Sequence, residues 1–490
     1  MTVTTTNEIQ IAKLPAGTLG GLIGVTFAPG KKGPSAYGGT HDRDLAADLD
    51  VIAGWNAAAV VTLMESDELA RYRIAPIGEE VRARFMDWHH LPIIDGQVPD
   101  AAFEAEWPAR SARLRGLVAA GNRILVHCRG GQGRAGMVSA RLLVEMGLDA
   151  EDAIALVRRE REGAIETSAQ ADWVRAGRPA TDVVAIGDEA IRDRAVGALL
   201  GLAVGDAVGT TIEFSTKPSR AVLSDMVGDG PFGLQAGQWT DDTAMALALA
   251  DSLAADPALD PRDLMRRFVS WYREGTYSCT GTCFDIGGTT AGSLRRYERT
   301  GECFAGPTGP NTAGNGSIMR LAPVAIQHWR DRDTMLRVAR GQSRTTHAAP
   351  EAMESCEILA DLLAMAIRGT TVKELVRSEM ARRIRDFRPG MSRNEVRGTG
   401  YVVASLHAAL WAVSRTSSFR DAVLLAANLG EDADTTAAVA GQIAGALYGA
   451  GAISVEWLDK LAWRARIEKL ALRLFDRSDR QPRLFDAQPA

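Results

Sequence analysis

Glycine recurs at every fourth position in two separate stretches, Gly197, Gly201 and Gly205 in one and Gly441, Gly445 and Gly449 in the other. Four residues make about one helical turn, so each series forms a stripe along one side of a helix. A stripe without side chains lets another helix approach backbone to backbone. Glycine weakens a helix interior, so two such stripes are expected only where close packing offsets that cost. The surroundings agree. Beyond Asp188 one Ala/Leu-rich helical segment follows another to about Asp476, separated by Gly-rich loops, and strand patterns nearly vanish.

The first 175 residues follow a different period. An apolar run at 60–63 follows a helix-like stretch at 44–55, and a second run at 123–127 follows an amphipathic stretch at 103–120. Helical patterns resume at 135–146 and 150–162. Strands alternating with helices predict a small α/β sheet. The expected fold is multidomain: an N-terminal α/β domain with a small central sheet flanked by helices, then an all-α C-terminal domain. Boundaries are expected at 1–178, a linker at 179–189, the helical domain at 190–476, and a disordered tail at 477–490.

A net charge of −5 over 490 residues, with no long basic run, argues against nucleic acid or an anionic membrane as the main partner. Five cysteines make no disulfide framework, the first residues lack the pattern of a signal peptide, and the apolar stretches are interrupted by charge. A reduced, cytoplasmic protein without a membrane span is expected.

Chemistry concentrates in two places. The segment His127-Cys128-Arg129-Gly130-Gly131-Gln132-Gly133-Arg134 comes after a predicted strand and before a predicted helix. A helix N-terminus and a nearby arginine lower a thiol's pKa, which a thiolate nucleophile requires. Glycines let the loop turn its backbone N–H groups inward around phosphate oxygens, and Arg134 closes the cradle with a bidentate guanidinium. The competing reading is a buried cysteine in a Gly-rich turn. Upstream, Asp95 sits in a Pro/Gly-bounded loop suited to a proton donor, whereas Asp100 reads as a helix N-cap.

With the segments HHLPIIDGQVPD and GAIETSAQADWV, this loop resembles the dual-specificity phosphatases over residues 18–176, most closely the cyclin-dependent-kinase-associated group. The resemblance implies that Cys128 attacks phosphorus, Arg134 holds the equatorial oxygens and Asp95 protonates the leaving group. Ala135 departs from the family's Ser or Thr, whose hydroxyl helps to expel the thiolate. That departure leaves a phosphate-binding or weakly active domain as the alternative.

The second place holds two acidic clusters, Thr240-Asp241-Asp242-Thr243 and Asp432-Ala433-Asp434-Thr435, each opening a small-residue helix. One such cluster alone would read as a helix cap. Two of nearly the same composition read as hard oxygen ligands suited to Mg²⁺ or Mn²⁺.

Six motifs in order, GALLGLAVGDAVGTTIEF, QWTDDTAM, CFDIGGTT, GNGSIMR, THAAPEA and NLGEDADTTAA, make residues 191–475 resemble the ADP-ribosylglycohydrolases. That group includes the dinitrogenase-reductase-activating glycohydrolase, and its fold is all-α. The resemblance implies that Thr240, Asp241, Asp242, Asp432, Asp434 and Thr435 ligate two Mg²⁺ (or Mn²⁺) ions. Glu213 would sit over the scissile bond or gate access to it. Asp285 would meet the guanidinium side of an arginine-linked substrate. Gly314, Asn315, Gly316 and Ser317 would cradle the ADP-ribose phosphates, and His347 would line the pocket. Two positions depart from the family pattern: Glu431, where Gly is common and a charge is added near the metals, and Gly288, where Asn is frequent. The expected activity is hydrolysis of the bond between ADP-ribose and protein arginine beside a cysteine-based phosphatase. Serine-linked or small-molecule ADP-ribose derivatives are the alternative substrates.

Overall fold

The computed structural model describes residues 8–16, 21–34, 40–119, 121–180, 188–218 and 221–478; most of the expected linker and residues 479–490 of the expected tail lie outside them. The chain divides into two units, residues 1–184 with 414–417, and residues 185–413 with 418–490.

The first unit runs β1 (Ala12–Pro15), β2 (Leu22–Phe27), β3 (Lys32–Pro34), β4 (Thr40–Asp42), α1 (Leu45–Gly54), β5 (Ala57–Thr62), α2 (Ser66–Arg71), α3 (Ile77–Arg82), β6 (Asp87–His90), α4 (Ala101–Ala119), β7 (Arg123–Cys128), α5 (Gly133–Glu145), α6 (Ala150–Glu160) and α7 (Ser168–Arg175). Five strands form one sheet in the order β1-β2-β7-β5-β6, with β1 antiparallel and the rest parallel; β3 and β4 form a separate hairpin. Strand side chains alternate between faces, and both faces are buried, as a parallel sheet requires. Val61, Ile124 and Val126 pack with Leu114, Leu117, Val138 and Ile154 from α4, α5 and α6. On the other face, Val60 and Leu125 pack with Leu49, Ile52, Ile77 and Val81 from α1 and α3. Asp44 caps α1 by accepting from the Ala47 N–H at 2.8 Å, and Asp100 accepts from the Phe103 N–H at 2.8 Å, the N-cap role expected of it. Strands β2 and β6, LIGVTF and DWHH, were missed because glycine or polar residues interrupt their apolar signal.

The second unit contains α8 (Asp188–Gly209), α9 (Asp241–Ala255), α10 (Pro261–Glu274), α11 (Gly288–Thr300), α12 (Ala322–His328), α13 (Arg332–Thr346), α14 (Pro350–Ile367), α15 (Val372–Arg377), α16 (Glu379–Arg383), α17 (Val402–Arg415), α18 (Phe419–Ala427), α19 (Ala433–Tyr448), α20 (Val455–Lys460) and α21 (Arg464–Ser478). No β-strand longer than an isolated bridge occurs among its described residues. The stretch Glu189–Ile212 is long and apolar enough to cross a membrane, but 89% of its apolar window is buried inside the unit. It is the core helix.

The two glycine stripes face each other. A Cβ at Gly197, Gly201, Gly205 or Gly209 would lie 2.4, 2.2, 2.1 or 2.4 Å from the carbonyl oxygen of Gly445, Gly441, Ala437 or Ala433. The partners descend as the first series ascends, so α8 and α19 run antiparallel with their backbones in contact. This crossing brings the C-terminal end of α8 to the N-terminal end of α19, where the acidic residues sit.

A Cβ at Gly441 would stand 2.0 Å from the Gly201 carbonyl oxygen, with only backbone to yield. Gly441→Ala is expected to destabilise the second unit by about 1–3 kcal/mol. Calorimetry should show its thermal transition falling by roughly 2–4 °C per kcal/mol while that of the first unit stays in place. An unshifted transition would contradict the backbone contact.

Candidate active sites

The Cys128 loop is shaped from behind by cations. Lys31 Nζ donates to the Arg129 carbonyl at 3.2 Å, and Arg161 donates to the Gly130 and Gly131 carbonyls at 3.0 and 3.1 Å. In a trans peptide the next N–H points opposite the carbonyl, so holding these carbonyls outward turns the amides of Gly130, Gly131 and Gln132 inward. The Gly131 N–H accordingly donates to Cys128 Sγ at 3.2 Å. Gly131 has φ +70°, and a Cβ there would stand 2.4 Å from the backbone of Thr26. Gln132 caps α5, where Gly133, Arg134 and Ala135 form the first turn, and its side chain donates to the Glu162 carbonyl.

Arg134 is buried, and its guanidinium is held on several sides. Both Nη atoms donate to Glu68, at 2.6 and 3.0 Å, and Nη1 also reaches the Ile93 carbonyl at 2.8 Å. Asp95 bridges Arg134 at 3.0 Å and Arg129 at 2.9 Å, which brings the expected acid loop over the cradle. Arg134 Nε is buried without a hydrogen-bond partner, a donor left over for an incoming oxygen. Burial pushes the neighbouring His127 imidazole down to about 3, so it stays neutral and bonds Thr62 at 2.8 Å.

In the second unit the acids converge. Carboxylate oxygens of Asp241, Asp242 and Asp434 lie within 4.8 Å of one another, as do those of Glu213, Asp285 and Asp434. Asp241 and Asp242 open α9 and Asp434 lies in the first turn of α19, so two helix N-termini direct their positive ends at one acidic centre. Burial, reinforced by mutual repulsion, pushes Asp241, Asp242 and Asp434 well above the usual carboxylate range. The same causes take Glu213 to about 9, while burial takes Asp285 to about 7 and raises Asp432. Neither α9 nor α19 has a side-chain bond from its N-cap residue, while Asp434 accepts from the Thr435 N–H at 2.7 Å in the first turn of α19.

A residue absent from the sequence reading does the capping. Asp206, fully buried near the end of α8, accepts from Thr240 N and Oγ1 at 2.9 and 3.0 Å and from Thr243 N and Oγ1 at 3.0 and 2.6 Å. A lone Asp within an apolar helix was the available signal. The Thr240 hydroxyl also lies 3.1 Å from Asp434, and the Thr435 hydroxyl donates to Asp242 at 3.3 Å. Glu431 pairs through one carboxylate oxygen with Arg397. Gly288 takes the first position of α11.

The Gly314–Ser317 loop reaches the same centre through Asn315, whose amide donates to Asp432 at 3.1 Å and to Ser405 at 2.8 Å. The Ser317 hydroxyl turns into the core towards Ser343 and Cys356, and its carbonyl accepts from Gln342 Nε2 at 3.0 Å. His347 underlies the loop: a Cβ at Gly316 would stand 2.7 Å from its ring. Arg320 donates to the Thr346 hydroxyl at 2.8 Å, and that hydroxyl also hydrogen-bonds His347 Nδ1 at 2.9 Å. Burial lowers the imidazole to about 3, so it stays neutral. Beside the loop, Tyr401 pairs with Gly314 through its backbone and is 37% exposed.

Residues 187–483 match the family model for ADP-ribosylglycohydrolase. The chain belongs to the ADP-ribosylglycohydrolase family. Its N-terminal residues 34–182 match a second model, the DSP-PTPase phosphatase domain of Swiss Army Knife proteins, so the chain is an enzyme carrying a glycohydrolase and a phosphatase domain. Among curated proteins, the ADP-ribosylarginine hydrolase Tri1 of Pseudomonas putida is 48% identical over 297 residues, covering 58% of this chain and 79% of that protein. The ADP-ribosyl-[dinitrogen reductase] glycohydrolase of Rhodospirillum rubrum is 36% identical, covering 57% and 93%. A solved ADP-ribosylglycohydrolase-related protein complex aligns with a TM-score of 0.52 at 42% identity, covering 59% of this chain and 99% of that one.

All five cysteines are unpaired thiols. In the glycohydrolase domain burial raises Cys279 to about 11 and Cys283 to about 12, so both are thiols at neutral pH.

The acidic centre predicts an inverted response to charge removal. In EDTA, Asp242→Asn is expected to raise the melting temperature of the glycohydrolase domain by relieving buried repulsion. Wild type in excess Mg²⁺ should gain stability, about 2.7 kcal/mol at a hundredfold excess over Kd, and the variant should lose most of that gain. Thermal melts with and without EDTA check both parts.

Proposed function

We propose that the chain is a bifunctional hydrolase that removes ADP-ribose from protein arginine and hydrolyses a phosphomonoester at its second site. The observation that carries the glycohydrolase reading is the set of buried carboxylates converging at the N-termini of α9 and α19. Asp242 Oδ1 and Glu213 Oε2 are buried without hydrogen-bond partners. Crowded, unpartnered hard oxygens of this kind fit divalent cations. On this reading Thr240, Asp241, Asp242, Asp432, Asp434 and Thr435 would hold two Mg²⁺ or Mn²⁺ ions. Such ions supply charge neutralisation and an acidified water.

The chain's own residues do the rest. The Gly314–Ser317 backbone receives the diphosphate, with His347 fixing the loop from beneath. Glu213 stands over the scissile bond, and Asp285, its neighbour in the cluster, faces the guanidinium. As the bond to the anomeric carbon breaks, positive charge grows on the ribose ring, and nearby carboxylates stabilise it. The name of the Pseudomonas putida relative supports the arginine linkage.

In the phosphatase domain, Cys128 attacks phosphorus while inward amides and Arg134 hold the oxygens, and Asp95 delivers the proton to the leaving group. We assign this domain to residues 1–178 and the glycohydrolase to 190–476, in a reducing cytoplasm. The partners on this reading are an ADP-ribosylated protein and a phosphorylated substrate. A second reading rests on Ala135, buried and apolar beside Arg134 where a hydroxyl would help expel the thiolate. It makes the N-terminal domain a phosphate-binding module for a small-molecule substrate such as ADP-ribosyl phosphate.

The test is release of ADP-ribose from an ADP-ribosyl-arginine protein. Release is expected with Mg²⁺ or Mn²⁺ and not with EDTA, and Asp241→Asn should lower it by about 100-fold or more. Cys128→Ser should leave that release intact while abolishing hydrolysis of p-nitrophenyl phosphate. Metal-dependent release from serine-linked substrate alone would contradict the arginine reading, and absence of phosphomonoester hydrolysis in wild type would favour the binding module.

A further inference from the structure

Three phenylalanines border the acidic centre of the glycohydrolase domain. Phe214 directly follows Glu213 and Phe284 directly precedes Asp285, so each of these two acids has a ring as its chain neighbour. Phe232 joins them, with its ring centroid 6.2 Å from that of Phe214 at 74° and 5.3 Å from that of Phe284 at 56°. Phe214 is 67% exposed and Phe232 and Phe284 are half-buried, so the cluster opens to solvent. Phe214 also has φ +59°, a conformation that bulky side chains avoid. Two backbone bonds of 2.7 Å hold it there, from the Phe214 N–H to the Glu431 carbonyl and from the Glu431 N–H to the Ser215 carbonyl. Strain of this kind persists where surrounding structure imposes it, and here it turns a large apolar ring outward beside an acid.

The rest of the domain shows what such rings take. Arg320 stands over Phe268, Arg344 over Phe304, Arg420 over Trp457 and Arg466 over Trp463, each with its guanidinium carbon between 4.2 and 4.7 Å from the ring centroid. Among the described residues no cation stands over Phe214, Phe232 or Phe284. Phe214 and Phe284 each have a carboxylate as a chain neighbour, and Phe232, between Pro231 and Gly233, joins them through its ring contacts. Exposed ring faces in a cluster whose chain neighbours are acids suit a flat, weakly hydrated cation better than an ammonium or a neutral hydroxyl.

We infer that Phe214, Phe232 and Phe284 form the subsite that receives the guanidinium of the ADP-ribosylated arginine. The inference rests on the arginine-linked reading above and deepens it: the rings select the amino-acid side of the substrate, while the carboxylate centre and the Gly314–Ser317 loop hold the nucleotide side. Ring faces fix the guanidinium plane, and Asp285 meets its edge. A serine-linked substrate has no group to place there.

Phe232→Leu, Phe284→Leu and their double variant test this, since leucine keeps the apolar bulk and removes the ring face. Wild-type release from ADP-ribosylarginine and from an ADP-ribosyl-serine peptide is compared with each variant, together with binding of free ADP-ribose, which lacks the guanidinium. The expected result is a KM for ADP-ribosylarginine raised by about 5- to 10-fold in the double variant. Affinity for ADP-ribose and melting temperature should stay unchanged, and Phe284→Tyr, which restores a ring, should recover the wild-type KM. An unchanged KM in the double variant would overturn the subsite. So would a parallel loss of ADP-ribose binding, which would place the rings on the nucleotide. Failure of the arginine reading itself would be seen separately, as wild-type enzyme that releases ADP-ribose from the serine peptide only.

Discussion

The contact between α8 and α19 is the interaction on which the glycohydrolase domain depends. Glycines on each helix meet carbonyl oxygens of the other at distances where a single Cβ has no room. Close approach of two backbones fixes not only how far apart the helices lie but their register along each other. That register sets the end of α8 against the start of α19. Asp206 directly follows the stripe glycine Gly205, and Glu213 lies four residues beyond the helix end. Asp432 and Asp434 lie at the start of α19. The packing core and the acidic centre are thus two ends of one device.

A centre built this way carries an opposing energy. Burial and mutual repulsion raise the pKa of Asp241, Asp242, Glu213 and Asp434, and cluster members lack a basic partner among the described ion pairs. Helix N-termini and the threonine hydroxyls offset part of the cost. Asp206 contributes differently. Its four bonds tie Thr240 and Thr243 to α8, so the start of α9 is located by the same helix that locates α19. The phosphatase loop follows the parallel principle with opposite charge, its amides aimed inward because Lys31 and Arg161 hold its carbonyls outward.

Legibility in the sequence followed from how local each feature is. The Cys128 loop was readable because nucleophile, amides and arginine fall within eight residues between a strand and a helix. Glu68, which holds Arg134, was not, because it sits 66 residues upstream in an ordinary capping box with Glu65. The glycine stripes were visible as stripes, but nothing in a pattern of period four says that two of them more than 200 residues apart face each other. The acids of the centre were readable as paired motifs and through family resemblance. Asp206 was hidden because a single carboxylate gives no spacing to recognise. The Phe214, Phe232 and Phe284 rim had no linear signature at all, since its rings come from three loops.

On the proposed reading, the α8–α19 crossing assembles a carboxylate centre that would hold a pair of divalent ions. Anomalous diffraction from crystals grown with Mn²⁺ tests it most directly. The account predicts two anomalous peaks enclosed by Asp241, Asp242, Asp432 and Asp434, with Thr240 and Thr435 oxygens in their coordination. No ordered manganese there at millimolar Mn²⁺, or peaks only at surface carboxylates, would contradict it.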